Sequence, residues 1–525
     1  MLITEILSRN ARMYGQETAL IERSPAENRR VEISWAAFDA RSNQVARALT
    51  AAGIRKGDRV VQLMTNCLDW LPIYFGILRT GALAVPLNFR FVAETIEKCI
   101  RTAGARAMIF GEEFIERVNA VKPSLDQTVE TYFFTGDEAQ RPAYCRSYGD
   151  ILKEFEPLAP DVELVLEDDA ALYFTSGTTG DPKATLLTHR NLEFACYIEN
   201  HHHGQRHDDN FLCIPPLYHT GAKMHWFGNF IVGAKAVIMK GVEPKWIIEA
   251  ISEEKVTVVW LLVPWALDIL FAIENKDIRL ETYHLDQWRL MHIGAQPVPA
   301  SLIREWKRIF PHHAYDTNYG LTETTGPGCV HLGLENIDKV GAIGKAGFDW
   351  ETRIVDASLA PVARGGIGEL MVRGPGVMKA YYNNPRATGE VLKDGWLLTG
   401  DMAREDEDGF IWLVDRKKDV IITGGENVYP VDIETFLFTH PKIHDAAVIG
   451  TPSLRLGEIA TAIIQPKAGQ KITVEEMVEF CTQLPRYKRP RKFFFDTIPR
   501  NPTGKIEKPK LRKKFSGVET SFKVE

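Results

Sequence analysis

Cysteine is scarce in this chain, and what there is shows no pairing. The seven residues, at 67, 99, 145, 196, 213, 329 and 481, share no recurring spacing. That excludes a disulfide framework and a zinc knuckle, and it fits a reducing compartment. A bilayer-spanning run is missing too. The most apolar stretch, Val256 to Phe271, is interrupted by Pro264 and Asp268 and reads as a buried strand entering a helix. Positive charge is not in excess: 63 Lys and Arg against 69 Asp and Glu leave a net charge of −6. A nucleic-acid protein needs the opposite balance, because its cations must displace counterions from phosphates. Glu5 stands where a secretion signal would turn basic and then apolar, and the ending Ser521-Phe522-Lys523-Val524-Glu525 is no peroxisomal or retention address. Low-complexity tracts, internal repeats and the Walker, G-x-S-x-G and H-E-x-x-H patterns are all absent. The expectation is a cytoplasmic protein.

What is present is an ordinary globular composition, 45% hydrophobic and 25% charged over 525 residues, which favours more than one domain. Ile33-Ser34-Trp35-Ala36-Ala37-Phe38 reads as an amphipathic helix entry. Short apolar runs such as Arg59 to Met64, Ala107 to Phe110, Ala171 to Phe174, Ala236 to Met239 and Val256 to Val259 alternate with helical stretches. That alternation predicts parallel sheets covered by helices on both faces. After about Gly365 the pattern changes to closely spaced strands with Gly and Asp turns, as in a small antiparallel or barrel-like unit. Asp415-Arg416-Lys417-Lys418-Asp419 has no apolar face and is the candidate inter-domain hinge; a compact βαβ-like stretch follows it to about residue 510. The predicted class is α/β, with a large N-terminal domain (1–416) of two helix-flanked sheets plus the barrel-like unit. A small C-terminal α+β domain (417–525) completes it.

The strongest local signal is Tyr173-Phe174-Thr175-Ser176-Gly177-Thr178-Thr179-Gly180-Asp181-Pro182-Lys183. A strand runs into a loop whose glycines let amides converge on an anion, whose hydroxyls add donors and whose Lys183 adds charge. Further segments follow in order: Ile214-Pro215-Pro216-Leu217-Tyr218-His219, Gly294-Ala295-Gln296-Pro297-Val298-Pro299, and Tyr319-Gly320-Leu321-Thr322-Glu323-Thr324. Then come Thr399-Gly400-Asp401, Gly424-Gly425-Glu426-Asn427-Val428-Tyr429-Pro430 and Pro502-Thr503-Gly504-Lys505-Ile506. Taken together and in this order, they resemble the adenylate-forming superfamily of acyl-CoA synthetases, luciferases and peptide-synthetase adenylation domains.

The resemblance implies an AMP-forming acid–CoA ligase that uses ATP, Mg²⁺ and coenzyme A. By that resemblance, Thr175, Ser176, Gly177, Thr178, Thr179, Gly180 and Lys183 wrap the β- and γ-phosphates. Thr322 and Glu323 sit at the α-phosphate with Glu323 as the Mg²⁺ ligand, and His219 belongs to the catalytic set. Gly294, Ala295, Gln296, Asn318, Tyr319 and Gly320 line the adenine, and Asp401 and Arg416 hold the ribose. Lys505 bridges the incoming carboxylate and the α-phosphate. A mobile C-terminal domain turns about Lys418 between half-reactions and brings Gly425 to the acyl-adenylate. The spacing of Pro499 from Gly504-Lys505 resembles the context in which a lysine acetyltransferase silences bacterial ligases, and a homodimer fits a ligase of this size.

Two departures from the family pattern stand out: Ala184 where a glycine usually follows the loop lysine, and Gln296 where alanine is common. Acyl-pocket positions carry His219, Thr220, Gly221, Lys223, Met224, Trp226, Trp265, Ala295 and Thr325. The two tryptophans point to a small or medium, branched, alicyclic or aryl acid. Lys223 either pairs with a second polar group of the substrate or, the favoured reading, packs its stem and keeps its head in solvent. Arg486 to Lys492 touches CoA phosphates or, again the favoured reading, faces water. The spacing of His201, His202, His203, His207 and Asp208 fits no common metal site, and residues 204–210 read as a polar surface loop. A stand-alone adenylation enzyme loading a carrier protein is the competing reading.

Overall fold

Apolar runs without period-two alternation should form strands covered on both faces. In the computed structural model Val258–Leu262 and Leu290–Gly294 are buried at every position. The structure describes residues 1–175, 182–294, 298–332, 334–453, 455–500 and 506–515. It divides into two compact units, Met1–Glu351 with Val372–Leu397 and Thr352–Met371 with Leu398–Glu525.

The first unit holds two large sheets. One runs, in spatial order, Lys345–Ala346, Pro327–Leu332, Ala314–Gly320, Leu290–Gly294, Val258–Leu262, Asn210–Cys213, Lys235–Met239, Thr18–Ser24 and Arg29–Ser34. Its centre is parallel and its edges are antiparallel. The other runs Ala380–Tyr381, Lys183–Thr188, Asp169–Thr175, Leu83–Pro86, Arg59–Leu63, Ala107–Gly111, Thr131–Thr135 and Cys145–Ser147. There, Lys183–Thr188 is antiparallel to both neighbours, which makes it a return strand after the phosphate loop.

Helices cover these sheets with the spacing their sequences carry. Ala93–Ala103 buries Ile96, Cys99, Ile100 and Ala103, an i, i+3, i+4, i+7 stripe, in one core with Leu63, Met108 and Phe110. Each such fully buried aliphatic side chain contributes about 1.5–3 kcal/mol. Pro264 sits in the first turn of the helix Val263–Glu274, directly after the strand Val258–Leu262, so the apolar run of 256–271 is strand and helix as expected. Ser34 caps the helix Trp35–Ala51 by accepting from Ala37 N at 3.2 Å. Thr188 and Asn191 form a reciprocal capping box on the helix His189–His203, which Gly204 ends at φ 54°. No helix of the described residues is long and apolar enough to cross a membrane.

In the second unit Ile411–Arg416 runs antiparallel to the strand that ends at Glu405, with Asp401 opposite Arg416. A further sheet orders Glu426–Val428, Ile421–Thr423, Gly457–Pro466 and Ile443–Ser453, with Lys492–Phe495 parallel beside Gly457–Pro466. Helices Pro430–Leu437 and Val474–Phe480 pack on it through Ile433, Leu437 and Met477. The mixed α/β class, the small β unit and the α+β C-terminal part all match expectation.

Candidate active site

The two strands flanking the phosphate loop are paired up to its mouth. Thr175 lies opposite Lys183, and Thr175 Oγ1 donates to Lys183 O at 3.5 Å. Ser176, Gly177, Thr178, Thr179 and Gly180 lie outside the described residues. Ala184 is a buried strand residue opposite Phe174 and is not among the residues with positive φ, so the absent glycine is not needed there.

Next to this mouth stands a residue that sequence reasoning missed. Tyr381 lies on the short strand paired with Lys183–Thr188, opposite Thr185. Its hydroxyl donates to Glu323 Oε1 at 2.7 Å, and Lys183 Nζ lies 4.9 Å from its ring centre. Burial, reinforced by the Glu323 carboxylate, holds the phenol above its ordinary pKa, so it remains a donor. One face of Tyr381 therefore attracts the loop cation while its edge orients the predicted metal-binding carboxylate.

Thr322 and Glu323 belong to the turn Thr322–Thr324, and both are half-buried. Met378 N donates to Glu323 O at 2.8 Å and Leu321 N to Thr324 Oγ1 at 2.7 Å. Thr325 follows in left-handed backbone at φ 61°, which a β-branched residue rarely adopts. Its buried hydroxyl donates to Gly376 O at 2.7 Å and holds that conformation. The turn is thus pinned on both sides. The half-buried Glu323 carboxylate, with one oxygen oriented by Tyr381, has the hard-oxygen chemistry Mg²⁺ prefers.

Four of the predicted adenine-side residues end parallel strands, the position at which open α/β sheets bind ligands. Gly294 ends Leu290–Gly294, while Asn318, Tyr319 and Gly320 end Ala314–Gly320. A side chain on Gly294 would meet Thr317 Oγ1 at 3.8 Å and Trp260 Nε1 at 3.9 Å. Ala295 and Gln296 lie outside the described residues. His219 caps the helix Thr220–Ile231, its Nδ1 accepting from Gly221 N at 3.2 Å. That leaves Nε2 as the protonated nitrogen of a neutral ring. Asn66 was also missed: it accepts from Leu217 N at 2.8 Å and donates to Pro215 O at 3.0 Å, clamping the segment that leads to His219.

Within the second unit, Arg416 Nε stands 2.8 Å from Asp401 Oδ1, joining the two predicted ribose residues. Glu369, absent from the sequence reading, accepts from Gly400 N at 3.0 Å and from Lys417 Nζ at 2.7 Å, holding the Thr399-Gly400-Asp401 turn. Lys418 is exposed, and Gly425 adopts φ 89° with open space where a side chain would stand. Lys505 lies outside the described residues.

Two acyl-side expectations change. Trp226 is 1% exposed and packs on Phe38, Phe75 and Phe230, so it is core and not a pocket wall. Lys223 does not reach solvent: it is 0% exposed, donates to Leu217 O at 2.6 Å and sits over the rings of Trp70, Tyr74 and Tyr173. Burial pushes its pKa well below the ordinary lysine value. The histidines around 201–207 diverge. His201 stacks on Phe348 and His207 on Tyr14, while His203 turns inward to Asp316. His201 to His203 are moreover helical, the end of His189–His203.

Comparison with known proteins agrees with this geometry. The AMP-binding enzyme profile matches residues 7–382, and the AMP-binding enzyme C-terminal domain matches residues 432–505. The chain is 33% identical to a feruloyl-CoA synthase of Amycolatopsis sp over 97% of its own length and 98% of that protein's. It is 32% identical to a long-chain-fatty-acid–CoA ligase of Mycobacterium tuberculosis, over 93% and 94% of the two chains. The crystal structure of an anthranilate CoA ligase in complex with anthranoyl-AMP superposes with a TM-score of 0.87 at 25% identity, covering 98% of this chain and 97% of that one. The chain belongs to the AMP-binding enzyme family. Its class within that family is the AMP-forming acid–thiol ligases, which work with ATP, Mg²⁺ and CoA.

Proposed function

We propose that this ligase activates a small or medium carboxylic acid bearing an aryl or similarly compact group. The observation that carries the chemistry is Tyr381, on which Glu323 and Lys183 converge. The acid's carboxylate and the α-phosphate are both anions, so the reaction needs positive charge placed between them. Lys183 and the loop 176–181 hold the terminal phosphates, Glu323 holds Mg²⁺, and Asp401 with Arg416 holds the ribose. Bound there, Mg²⁺ neutralises charge on the phosphates of ATP. Lys505 supplies the mobile charge at the reacting centre, His219 belongs to the same catalytic set, and pyrophosphate departs. The domain boundary at 416/417 then becomes functional: rotation about Lys418 withdraws Lys505 and brings Gly425 to the acyl-adenylate, where the CoA thiol displaces AMP.

The acyl preference rests on Trp260 and His225, whose rings stack at 4.2 Å and 11° next to Gly221 and Gly294. Both rings are 5% exposed, so they back the predicted acyl positions, and a flat aromatic backing there suits a planar acid where Trp226 does not reach. The feruloyl- and anthranilate-CoA ligases among the relatives support the same reading. We further assign the enzyme to the cytoplasm as a homodimer, with acetylation of Lys505 as an off-switch. Sedimentation and mass spectrometry of Lys505 in cells with an active acyltransferase test those two points.

The deciding experiment measures pyrophosphate release with ATP and Mg²⁺ over a panel of aryl, branched and long-chain acids, each with and without CoA. CoA-dependent turnover fastest with aryl acids supports the proposal. Preference for long-chain acids overturns the substrate assignment, and release indifferent to CoA overturns the thioester step.

A further inference from the structure

A helix end and two strands bring three ligating side chains together outside the nucleotide residues. His203 is the last residue of His189–His203, the end at which a helix dipole favours positive charge. His292 and Asp316 are register partners on adjacent parallel strands. The three residues are buried, and their ligating atoms lie within 4.8 Å of one another. His203 Nε2 is 2.7 Å and His292 Nδ1 3.2 Å from Asp316 Oδ2. Asp316 Oδ1 is buried with no hydrogen-bond partner among the described residues.

The far nitrogen of each imidazole faces a buried polar group. His203 Nδ1 lies 3.3 Å from Glu199 Oε2, a carboxylate that is 1% exposed. His292 Nε2 lies 2.8 Å from His225 Nε2. The latter nitrogen is an acceptor, because His225 Nδ1 donates to Gly221 O and Asn318 Nδ2 points at His225 Nε2 from 3.1 Å. His292 therefore carries its proton on Nε2 and turns the Nδ1 lone pair toward Asp316. His203 Nδ1 makes no hydrogen bond to Glu199, whose two oxygens are buried without a hydrogen-bond partner among the described residues, while His203 Nε2 faces the same Asp316 carboxylate. The His292 Nδ1 lone pair and the carboxylate oxygen it faces repel unless a cation lies between them. For His292 this is also the outer arrangement of a metal-bound histidine, which hands its second N–H to an acceptor.

We propose that His203 Nε2, His292 Nδ1 and the Asp316 carboxylate bind one divalent transition-metal ion of the zinc type, with His225 fixing the His292 tautomer. Two imidazoles and a carboxylate select such an ion over Mg²⁺, which separates this site from Glu323. The ion fastens the end of His189–His203 to the two strands that carry Gly294 and Asn318–Gly320, so its role is to position the nucleotide segments.

The test strips the full-length protein with chelator and titrates it with Zn²⁺ and with Co²⁺ in the absence of ATP. Retention of about one equivalent of Zn²⁺ after desalting, together with visible Co²⁺ d–d bands, is expected. Both signals should vanish in Asp316→Asn and His292→Gln and persist in Glu323→Gln. Absence of retained Zn²⁺ and of Co²⁺ bands in the wild type overturns the site, as does equal binding by all variants. If the two substitutions prevent folding, X-ray absorption of the wild-type Zn²⁺ form decides: a nitrogen and oxygen shell with imidazole scattering supports the site, and sulfur ligation or an all-water shell refutes it.

Discussion

Tyr381 donates to Glu323 Oε1 while its ring faces Lys183, although the three residues come from separate stretches of sequence. Tyr381→Phe keeps the ring and the cation contact but removes one hydrogen bond to a carboxylate. We expect a loss of about 1–2 kcal/mol, roughly tenfold in kcat/KM for adenylation, with a higher Mg²⁺ concentration needed for half-maximal rate. An unchanged Mg²⁺ dependence of pyrophosphate exchange would remove Tyr381 from the site. The residue was not legible in the sequence, since Ala380-Tyr381-Tyr382 carries no motif. Only the pairing of Ala380–Tyr381 with Lys183–Thr188 sets the phenol beside Lys183. Lys223 was misread for a related reason. Exposure is the usual fate of lysine, and the cage of Trp70, Tyr74 and Tyr173 is assembled from other elements.

At the scale of the element, the hinge run is partly buried on one side. Asp415 accepts from Val431 N at 3.0 Å, the first turn of the helix Pro430–Leu437, and from Arg416 N at 2.7 Å. Burial nonetheless raises its pKa to about 6. The unfolded chain releases this proton near pH 4, so between about 4 and 6 the folded state binds more protons and stability falls as pH rises. Asp415→Asn should flatten that slope. Urea midpoints of both proteins at acidic and neutral pH check it, and a parallel pH response would refute it. Gly425 is a second case. Its φ of 89° strains any L side chain, at roughly 1–2 kcal/mol. Gly425→Ala should slow thioester formation about tenfold and leave adenylation nearly unchanged, as read by single-turnover assays of each half-reaction. Some elements were legible because their signals are local: Ser34 caps the helix entry read at 33–38, and Pro264 opens the helix that follows the strand Val258–Leu262.

For the whole molecule, alternation between half-reactions should pass through Lys418. The flanking amides are already engaged, Lys417 N with Gly400 O at 2.9 Å and Asp419 N with Arg416 O at 2.8 Å. Lys418→Pro would fix φ between them and restrict the preceding residue. Thioester formation should then fall by about tenfold or more while acyl-adenylate formation is kept. Stopped-flow measurement of each step separates them, and equal loss of both would dismiss the hinge. The sequence alone determined the α/β class and, through the order of its motifs, the family. Each is written in contiguous residues, where apolar period, glycine and capping chemistry act over a few positions. Tertiary structure alone decided that Tyr381 meets Glu323, that Trp260 and not Trp226 stacks beside Gly294, and that His203, His292 and Asp316 converge. Those meetings depend on sheet order and register, which join strands and helix ends far apart in the chain and leave no local trace in composition or spacing.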